Sequence, residues 1–340
     1  MHAGTRIRNE GTAWQAELAR AYARLDDLLP ELGLTAAACG VSAEAAASFP
    51  LRVPRGFVAR MRHGDPHDPL LRQVLPVTAE QLVQPGFGSD PVGDLDSVRA
   101  PGLLQKYVGR ALLVTTGACA VHCRYCFRRD FPYPGHSTTP GVLGSALEAI
   151  AADDSLQEII LSGGDPLALG NDRLASIVHA LGRIRHVARI RLHTRLPVVL
   201  PERIDAELLE LLRSAGKPVV TVIHANHANE ISASVVSALA RLRSVSAALL
   251  NQSVLLRGVN DSVDTLTALS TQLFSAGVLP YYLHQLDRVA GAAHFLVPDD
   301  EAIALHAAMA AKLPGYLVPK LVQEIAGATA KTPLGYFGAT

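Results

Sequence analysis

Cysteine is scarce in this chain, with four in 340 residues. That is too few for a disulfide-stapled secreted scaffold, and it points to a reducing compartment, the cytoplasm. An excess of one charge is missing too. Lys plus Arg and Asp plus Glu stand at 31 each, so no global field draws the chain to nucleic acid or to an anionic membrane. No apolar run approaches the roughly 18 residues that a membrane span needs. Met1 to Glu10 is polar and lacks the apolar core of a signal peptide. There is no internal repeat and no low-complexity tract. What remains is 49% hydrophobic and 18% charged, ample for a sizeable core in one large α/β domain with an extension, or in two ordinary domains.

The few cysteines are not scattered. Three of the four lie in one eight-residue window, Cys119-Ala-Val-His-Cys123-Arg-Tyr-Cys126, followed at once by Phe127-Arg128-Arg129. The preceding Ala111-Leu-Leu-Val-Thr-Thr116 is short, apolar and β-branched, and reads as a buried strand broken by Gly117. The thiols therefore sit on a loop leaving the C-terminal end of a strand, where α/β folds keep their chemistry. Thiolates bind soft metals, and three of them leave one position of a four-site centre empty. A structural zinc would need a fourth ligand, His122 or a distant histidine, and normally draws on two separated pairs. A Cys-x3-Cys-x2-Cys triplet suits instead a 4Fe–4S cluster with one iron open to a substrate or cofactor. The plain alternative is three incidental buried thiols. The spacing resembles the signature of the radical S-adenosylmethionine (SAM) enzymes.

Along the chain, residues 13–33 and Ala36–Phe49 carry apolar residues at helical spacing, with Cys39 a small core residue of the second stretch. Residues 50–102 are rich in Pro, Gly and Asp and read as loops and short helices wrapped around something larger. From residue 110 short apolar strands alternate with amphipathic helices. After the first strand come Glu158–Leu161, Arg189–His193, Val219–His224, Ser253–Leu256 and Pro280–His284, with helical segments near 142–152, 173–183, 204–215, 231–244 and 262–276. Six such units predict a parallel sheet with helical crossovers, too few for an eight-stranded barrel. The expected fold is α/β: an open, partial (β/α)6 barrel over residues 101–315, a mainly helical N-terminal region over 1–100, and a C-terminal tail over 316–340 that closes the barrel mouth.

Polar residues cluster at the predicted strand ends. Ser162-Gly163-Gly164-Asp165-Pro166 follows the second strand; its glycines allow close backbone approach to a ligand, although taken alone the motif is weak evidence and a plain tight turn is the better reading of it. His193-Thr194-Arg195 and His224 end the third and fourth strands. His224 and His227 are three apart and would face opposite ways on a continuing strand, which argues against a metal pair. Asn251-Gln252 within an apolar strand need partners from protein or ligand.

Taken together, the cysteine window through Arg128, Asn251–Asp261 and Lys331-Thr-Pro333 resemble the lysine 2,3-aminomutase family of radical SAM enzymes. The likeness runs from about Pro101 to Pro333, with Phe49–Met61 and Gly64–Pro76 similar as well, and it is nearest the short bacterial subgroup that makes β-lysine for modifying translation elongation factor P. The resemblance implies an isomerase that uses pyridoxal phosphate (PLP) beside SAM and a 4Fe–4S cluster. It implies that Cys119, Cys123 and Cys126 hold the cluster, which cleaves SAM to a 5′-deoxyadenosyl radical while the α-nitrogen of lysine migrates from C2 to C3. Ser162, Gly163, Gly164 and Asp165 would grip the methionyl end of SAM, Arg195 its carboxylate and His224 its adenine. Lys331 would hold PLP as a Schiff base, with Lys106, Arg110 and Gln252 around its phosphate and ring. Arg128 would clamp the carboxylate of free L-lysine, and Asp287 with Glu324 its ε-ammonium. The longer enzymes of the family have Asp where this chain has Glu324 and Cys where it has Ser262, and they carry a zinc-binding C-terminal segment, so a structural zinc is not expected. Implied partners are a reductant such as flavodoxin or ferredoxin and an elongation factor P ligase that consumes β-lysine. The competing readings are a radical SAM enzyme for another amino acid and a cluster- or zinc-bearing binding module.

Overall fold

The computed structural model describes residues 12–136 and 139–335, so Met1 to Glu10 lies outside the described residues. One sheet organises the rest. Its strands are β1 (Val98–Ala100), β2 (Leu103–Tyr107), β3 (Arg110–Thr116), β4 (Glu158–Gly163), β5 (Arg189–Thr194), β6 (Val219–His224), β7 (Ala248–Val254), β8 (Leu279–His284), β9 (Lys320–Gln323) and β10 (Thr332–Pro333). They pair in chain order. From β3 to β9 every neighbour is parallel, while β1–β2, β2–β3 and β9–β10 are antiparallel. β3 to β8 correspond to the six strands expected, except that the fifth runs Ala248–Val254 instead of Ser253–Leu256, so Asn251 and Gln252 lie within it and Leu255 and Leu256 fall beyond its end. The tail adds the short parallel strand β9, and Lys106, expected in the approach to the first strand, lies in a strand of its own.

Helices return the chain between the parallel strands: Pro140–Ala152, Asn171–Arg183, Ala206–Arg213, Ala233–Arg243, Val263–Ser275 and Asp299–Lys312. Side chains cap their starts. Asp205 accepts from Leu208 N, and Ser262 from Thr265 N, each satisfying an otherwise unpaired first-turn donor. The crossovers cover the sheet, so β4 is buried along nearly its whole length, as a parallel strand covered on both faces requires.

The sheet is strongly curled. Seven strand spacings separate β2 from β9, roughly 34 Å in a flat sheet at about 4.8 Å per strand. Yet Tyr107 of β2 donates to Glu324, one residue beyond β9, at 2.7 Å. The two margins thus face each other across a lumen, and no ladder joins β1 to β10 among the described residues. The N-terminal region begins as short helices (Ala13–Ala19, Leu25–Glu31, Ala36–Cys39 and Ala43–Ser48). Trp14, Leu28 and Phe57 of this region belong to the same apolar cluster as Ile159 and Ile190 of the barrel. A second, smaller cluster joins Leu255, Leu283 and Met309 to Leu321 and Leu334 of the tail. Among the described residues no helix is long and apolar enough to cross a membrane.

Candidate active site

A cavity of about 300 Å³ lies within the curl, running from the C-terminal ends of the strands down to Arg110, the first residue of β3. All the site residues named from the sequence line it. They are Cys119, Cys123, Cys126, Ser162, Gly163, Gly164, Asp165, Arg195 and His224, expected around the cluster and SAM, and Lys106, Arg110, Arg128, Gln252, Asp287, Glu324 and Lys331, expected around PLP and substrate. Strand ends scattered over more than 200 residues of sequence converge because each parallel crossover returns the chain to the same end of the sheet.

The cysteine loop is held from outside the barrel. Arg124, fully buried between two of the cysteines, donates through Nε and Nη2 to the Glu80 carboxylate at 2.8 and 2.6 Å and to the carbonyl of Ala45 at 3.0 Å. Arg129 reaches the same carboxylate at 3.1 Å. The loop amides of His122 and Arg124 donate to the carbonyls of Arg52 and Gln73. Every one of these anchors comes from the N-terminal region. Burial pushes the Cys126 thiol up to about 11, with the neighbouring Cys123 adding to it, and pushes Cys119 well above its ordinary value. Positive charge at this point would reverse that penalty, as a bound cluster would. Among the described residues no three His, Cys, Asp or Glu side chains converge closely enough for a single metal ion. Three thiols that neighbour one another without meeting at a point fit a cluster, in which each binds a different iron.

The glycine turn after β4 packs directly under this loop. A Cβ on Gly164 would lie 2.4 Å from the Ala118 carbonyl, and one on Gly163 (φ +108°) would lie 2.9 Å from that of Thr116. Only glycine permits this approach. The Asp165 carboxylate is fully engaged in joining β4 to β5. It accepts from the Thr194 hydroxyl (2.7 Å) and from the amides of Leu167, Arg195 and Leu196. Burial nevertheless pushes it up to about 6.

Arg195 occupies the centre of a buried polar network. Its Nη1 lies 2.6 Å from Cys123 Sγ and 2.7 Å from the Tyr125 hydroxyl, and its Nη2 donates to Gln73 and Glu230. Nε is buried without a hydrogen-bond partner among the described residues. The terminal nitrogens expected to meet a SAM carboxylate are thus already committed to protein groups. Asn226 donates to Gln73 and Tyr125, completing the network. His224 Nε2 is 2.9 Å from the Tyr125 hydroxyl and the two rings are stacked; burial and the Arg195 charge keep its pKa well below the ordinary histidine value. His193, at the end of β5, also lines the cavity, and its buried Nε2 has no partner among the described residues. Gln73, Tyr125, Asn226 and Glu230 were not singled out from the sequence. Tyr125 alone gave a signal there, by lying between two cysteines.

Across the cavity a chain of charges runs from the tail to the cysteine loop. Lys331 Nζ donates to Glu324 Oε2 at 2.5 Å, and Lys106 Nζ lies 3.6 Å from Glu324 Oε1 and 2.7 Å from Asp94 Oδ1. Asp94 Oδ2 in turn accepts from Arg128 Nε at 2.6 Å, and Arg128 Nη1 reaches Ser162 Oγ at 3.3 Å. Three groups stand outside this chain. Arg110 lies with its guanidinium 4.5 Å from the centre of the Tyr107 ring and has no ion pair among the described residues. The Gln252 side chain and the Asp287 carboxylate likewise have no hydrogen bond from a described residue. Burial outweighs the nearby Lys331 charge at Asp287 and pushes its carboxyl up to about 7. An arginine with no ion pair among the described residues and a lysine lining the same sheltered cavity fit a phosphate-bearing cofactor tethered through that lysine.

A cysteine triplet leaving the first parallel strand, packed on a glycine turn after the second, defines a class that comparison bears out: the family model for the radical SAM superfamily matches residues 113–266. Such proteins carry a 4Fe–4S cluster and bind SAM. Over 322 residues, 94% of each chain, the sequence is 48% identical to L-lysine 2,3-aminomutase of Escherichia coli, and it is 46% identical over 284 residues, 84% of each chain, to that of Haemophilus influenzae. The chain belongs to the L-lysine 2,3-aminomutase family, a family of isomerases. A solved radical SAM methyltransferase from Sphaerobacter thermophilus is similar with a TM-score of 0.47 and 17% identity, over 65% of this chain and 68% of that one.

Proposed function

We propose that the protein is a cytoplasmic, PLP-dependent L-lysine 2,3-aminomutase whose β-lysine product serves the modification of elongation factor P. The observation that carries this reading is that Lys331 and the three cysteines, 205 or more residues apart in sequence, line one small cavity. Bound there, the cluster and SAM supply a deoxyadenosyl radical, and PLP supplies an imine across which an amino group can migrate.

The chain's own residues bind, orient and shield. Cys119, Cys123 and Cys126 hold the cluster. Gly163 and Gly164 keep side chains away from it and leave backbone groups for the amino-acid end of SAM, with Ser162 and Asp165 framing the turn. The stacked His224 and Tyr125 rings offer a flat wall for adenine. Arg195 keeps Tyr125 and Cys123 in place. Lys331 tethers PLP; Arg110, without an ion pair, and Gln252, without a side-chain hydrogen bond among the described residues, receive its phosphate and ring, and Lys106 adds positive potential from within its own ion pairs. Arg128, gripped at Nε, presents its remaining edge to the substrate carboxylate. Asp287 and Glu324 receive the ε-ammonium, Glu324 Oε2 being released when Lys331 turns to the cofactor while Tyr107 keeps Oε1 in place. A flavodoxin or ferredoxin would supply the electron, and an elongation factor P ligase would take the product.

The test is an anaerobic assay with reconstituted cluster, SAM, PLP, dithionite and L-lysine. β-Lysine should accumulate with little net SAM loss, and Lys331→Ala should abolish both β-lysine and the imine absorbance. Deoxyadenosine without β-lysine would redirect the proposal to another amino acid. A Lys331→Ala enzyme retaining imine absorbance and full turnover would overturn the role of Lys331.

A further inference from the structure

Asp94 belongs to no motif and to no strand. It sits in the turn that leads into β1, with 1% of its surface exposed. The turn is rigid for a local reason: the Asp90 carboxylate accepts from the amides of Asp94 (2.9 Å) and Leu95 (3.0 Å), and Ser97 Oγ donates to the Gly93 carbonyl (2.8 Å). From this fixed backbone the two Asp94 oxygens divide between two cations. Oδ2 accepts from Arg128 Nε at 2.6 Å, and Oδ1 lies 2.7 Å from Lys106 Nζ, which also donates to the Val92 carbonyl of the same turn at 2.8 Å.

We infer that Asp94 is a positioning residue for the substrate carboxylate: it fixes the plane of Arg128 and keeps Lys106 away from that task. The inference rests on the reading that Arg128 receives the carboxylate. A guanidinium offers flat edges, and a carboxylate held on Nε at 2.6 Å, with the longer Nη1 contact to Ser162 Oγ at 3.3 Å, fixes the arginine torsions and leaves Nη2 without a hydrogen bond among the described residues, in a side chain that lines the cavity. Charge counting gives the same result. Arg128, Lys106 and Asp94 together leave one net positive charge, matched to a single amino-acid carboxylate. Without Asp94, two neighbouring cations would compete for that carboxylate, with Lys106 held only by the Val92 carbonyl and Glu324, and Arg128 hydrogen-bonded only through the 3.3 Å contact to Ser162, among the described residues. Asp94 also remains ionised despite its burial, because Arg128 and Lys106 oppose the desolvation.

The test compares L-lysine with L-lysinamide, which keeps the ε-ammonium but lacks the carboxylate. Binding of each is measured by anaerobic competition against labelled L-lysine, on enzyme loaded with cluster and PLP. Iron and PLP contents serve as folding controls. Asp94→Asn should reduce the preference for lysine over lysinamide about tenfold or more, the usual scale for removing an orienting partner. KM for lysine should rise while kcat changes much less, and Asp94→Glu should restore part of the preference. A merely structural role would lower the binding of both ligands equally. An unchanged preference in Asp94→Asn, alongside a collapsed one in Arg128→Gln, would overturn the inference and leave the Arg128 reading standing. An unchanged preference in both variants would instead remove the Arg128 reading and the inference with it. If Asp94→Asn fails to load cofactors, Asp94→Glu and Asp94→Ser carry the same comparison.

Discussion

Asp287, proposed above to receive the substrate ammonium, has no hydrogen-bond partner for its carboxylate among the described residues, and burial has moved its pKa from 3.8 to about 7. Below about pH 7 it holds a proton and offers an incoming ammonium no charge; above it the carboxylate is present. KM for L-lysine should therefore fall as pH rises through about 7, and Asp287→Asn should flatten that limb in a pH–rate series. A wild-type profile flat across this range would remove Asp287 from the ammonium site. The same proton affects stability. A folded pKa raised above the unfolded one contributes fully below about pH 4 and is lost as pH climbs through about 7. At this scale the sequence was readable only where chemistry repeats as local spacing. The cysteines announced themselves within eight residues, whereas Lys331 looked like a solvated lysine and took its role from resemblance alone. Asp94 and Glu80 were invisible, because each acts on an arginine 34 and 44 residues away respectively. No local pattern encodes such pairings.

The cysteine loop lacks regular structure and depends on the element that grips it, the 3₁₀ turn Thr78–Gln81 carrying Glu80. Removing the charge of that buried residue leaves Arg124 without a counter-ion in the interior, and breaking a buried pair in this way costs about 3–5 kcal/mol. Glu80→Gln should show that loss in urea denaturation, together with a reduced iron content after reconstitution. A variant within about 1 kcal/mol of wild type and fully loaded with iron would show that the loop holds itself. The same dependence explains which elements could be read in advance. β3 to β6 and β8 have their own apolar runs and helical partners, so periodicity located them; β7 carries Asn251, Gln252 and Ser253 in its middle, and the apolar run just past it, Val254–Leu256, drew the expected strand five residues too late. β1, β2 and β9 are three to five residues long, half polar, and become strands only because a neighbouring edge is available. β9 in particular has only Leu321 and Val322 between Lys320 and Gln323, which reads as a loop until β8 lies beside it.

Across the whole molecule the apolar interior falls into unequal parts, and the two halves of the site rest on different ones. The larger cluster runs from Trp14 to Val278 and includes Ala120 and Val121 of the cysteine loop. The tail is anchored by the smaller cluster, in which Leu321 is fully buried against Leu283, Met309 and Leu334. Glu324 and Lys331 follow directly on that anchor, so their placement depends on a few side chains rather than on the main core. Local opening of so small a unit needs less free energy than global unfolding. Leu321→Ala should cost about 2–5 kcal/mol of local stability, and it should separate two transitions that lie closer together in wild type. In a urea titration of the PLP-loaded enzyme, the imine absorbance of Lys331 should disappear before the far-ultraviolet circular dichroism of the barrel does. Coincident loss of the two signals in Leu321→Ala would mean that the tail and the barrel unfold as one unit, and that the lysine is held by the core as a whole.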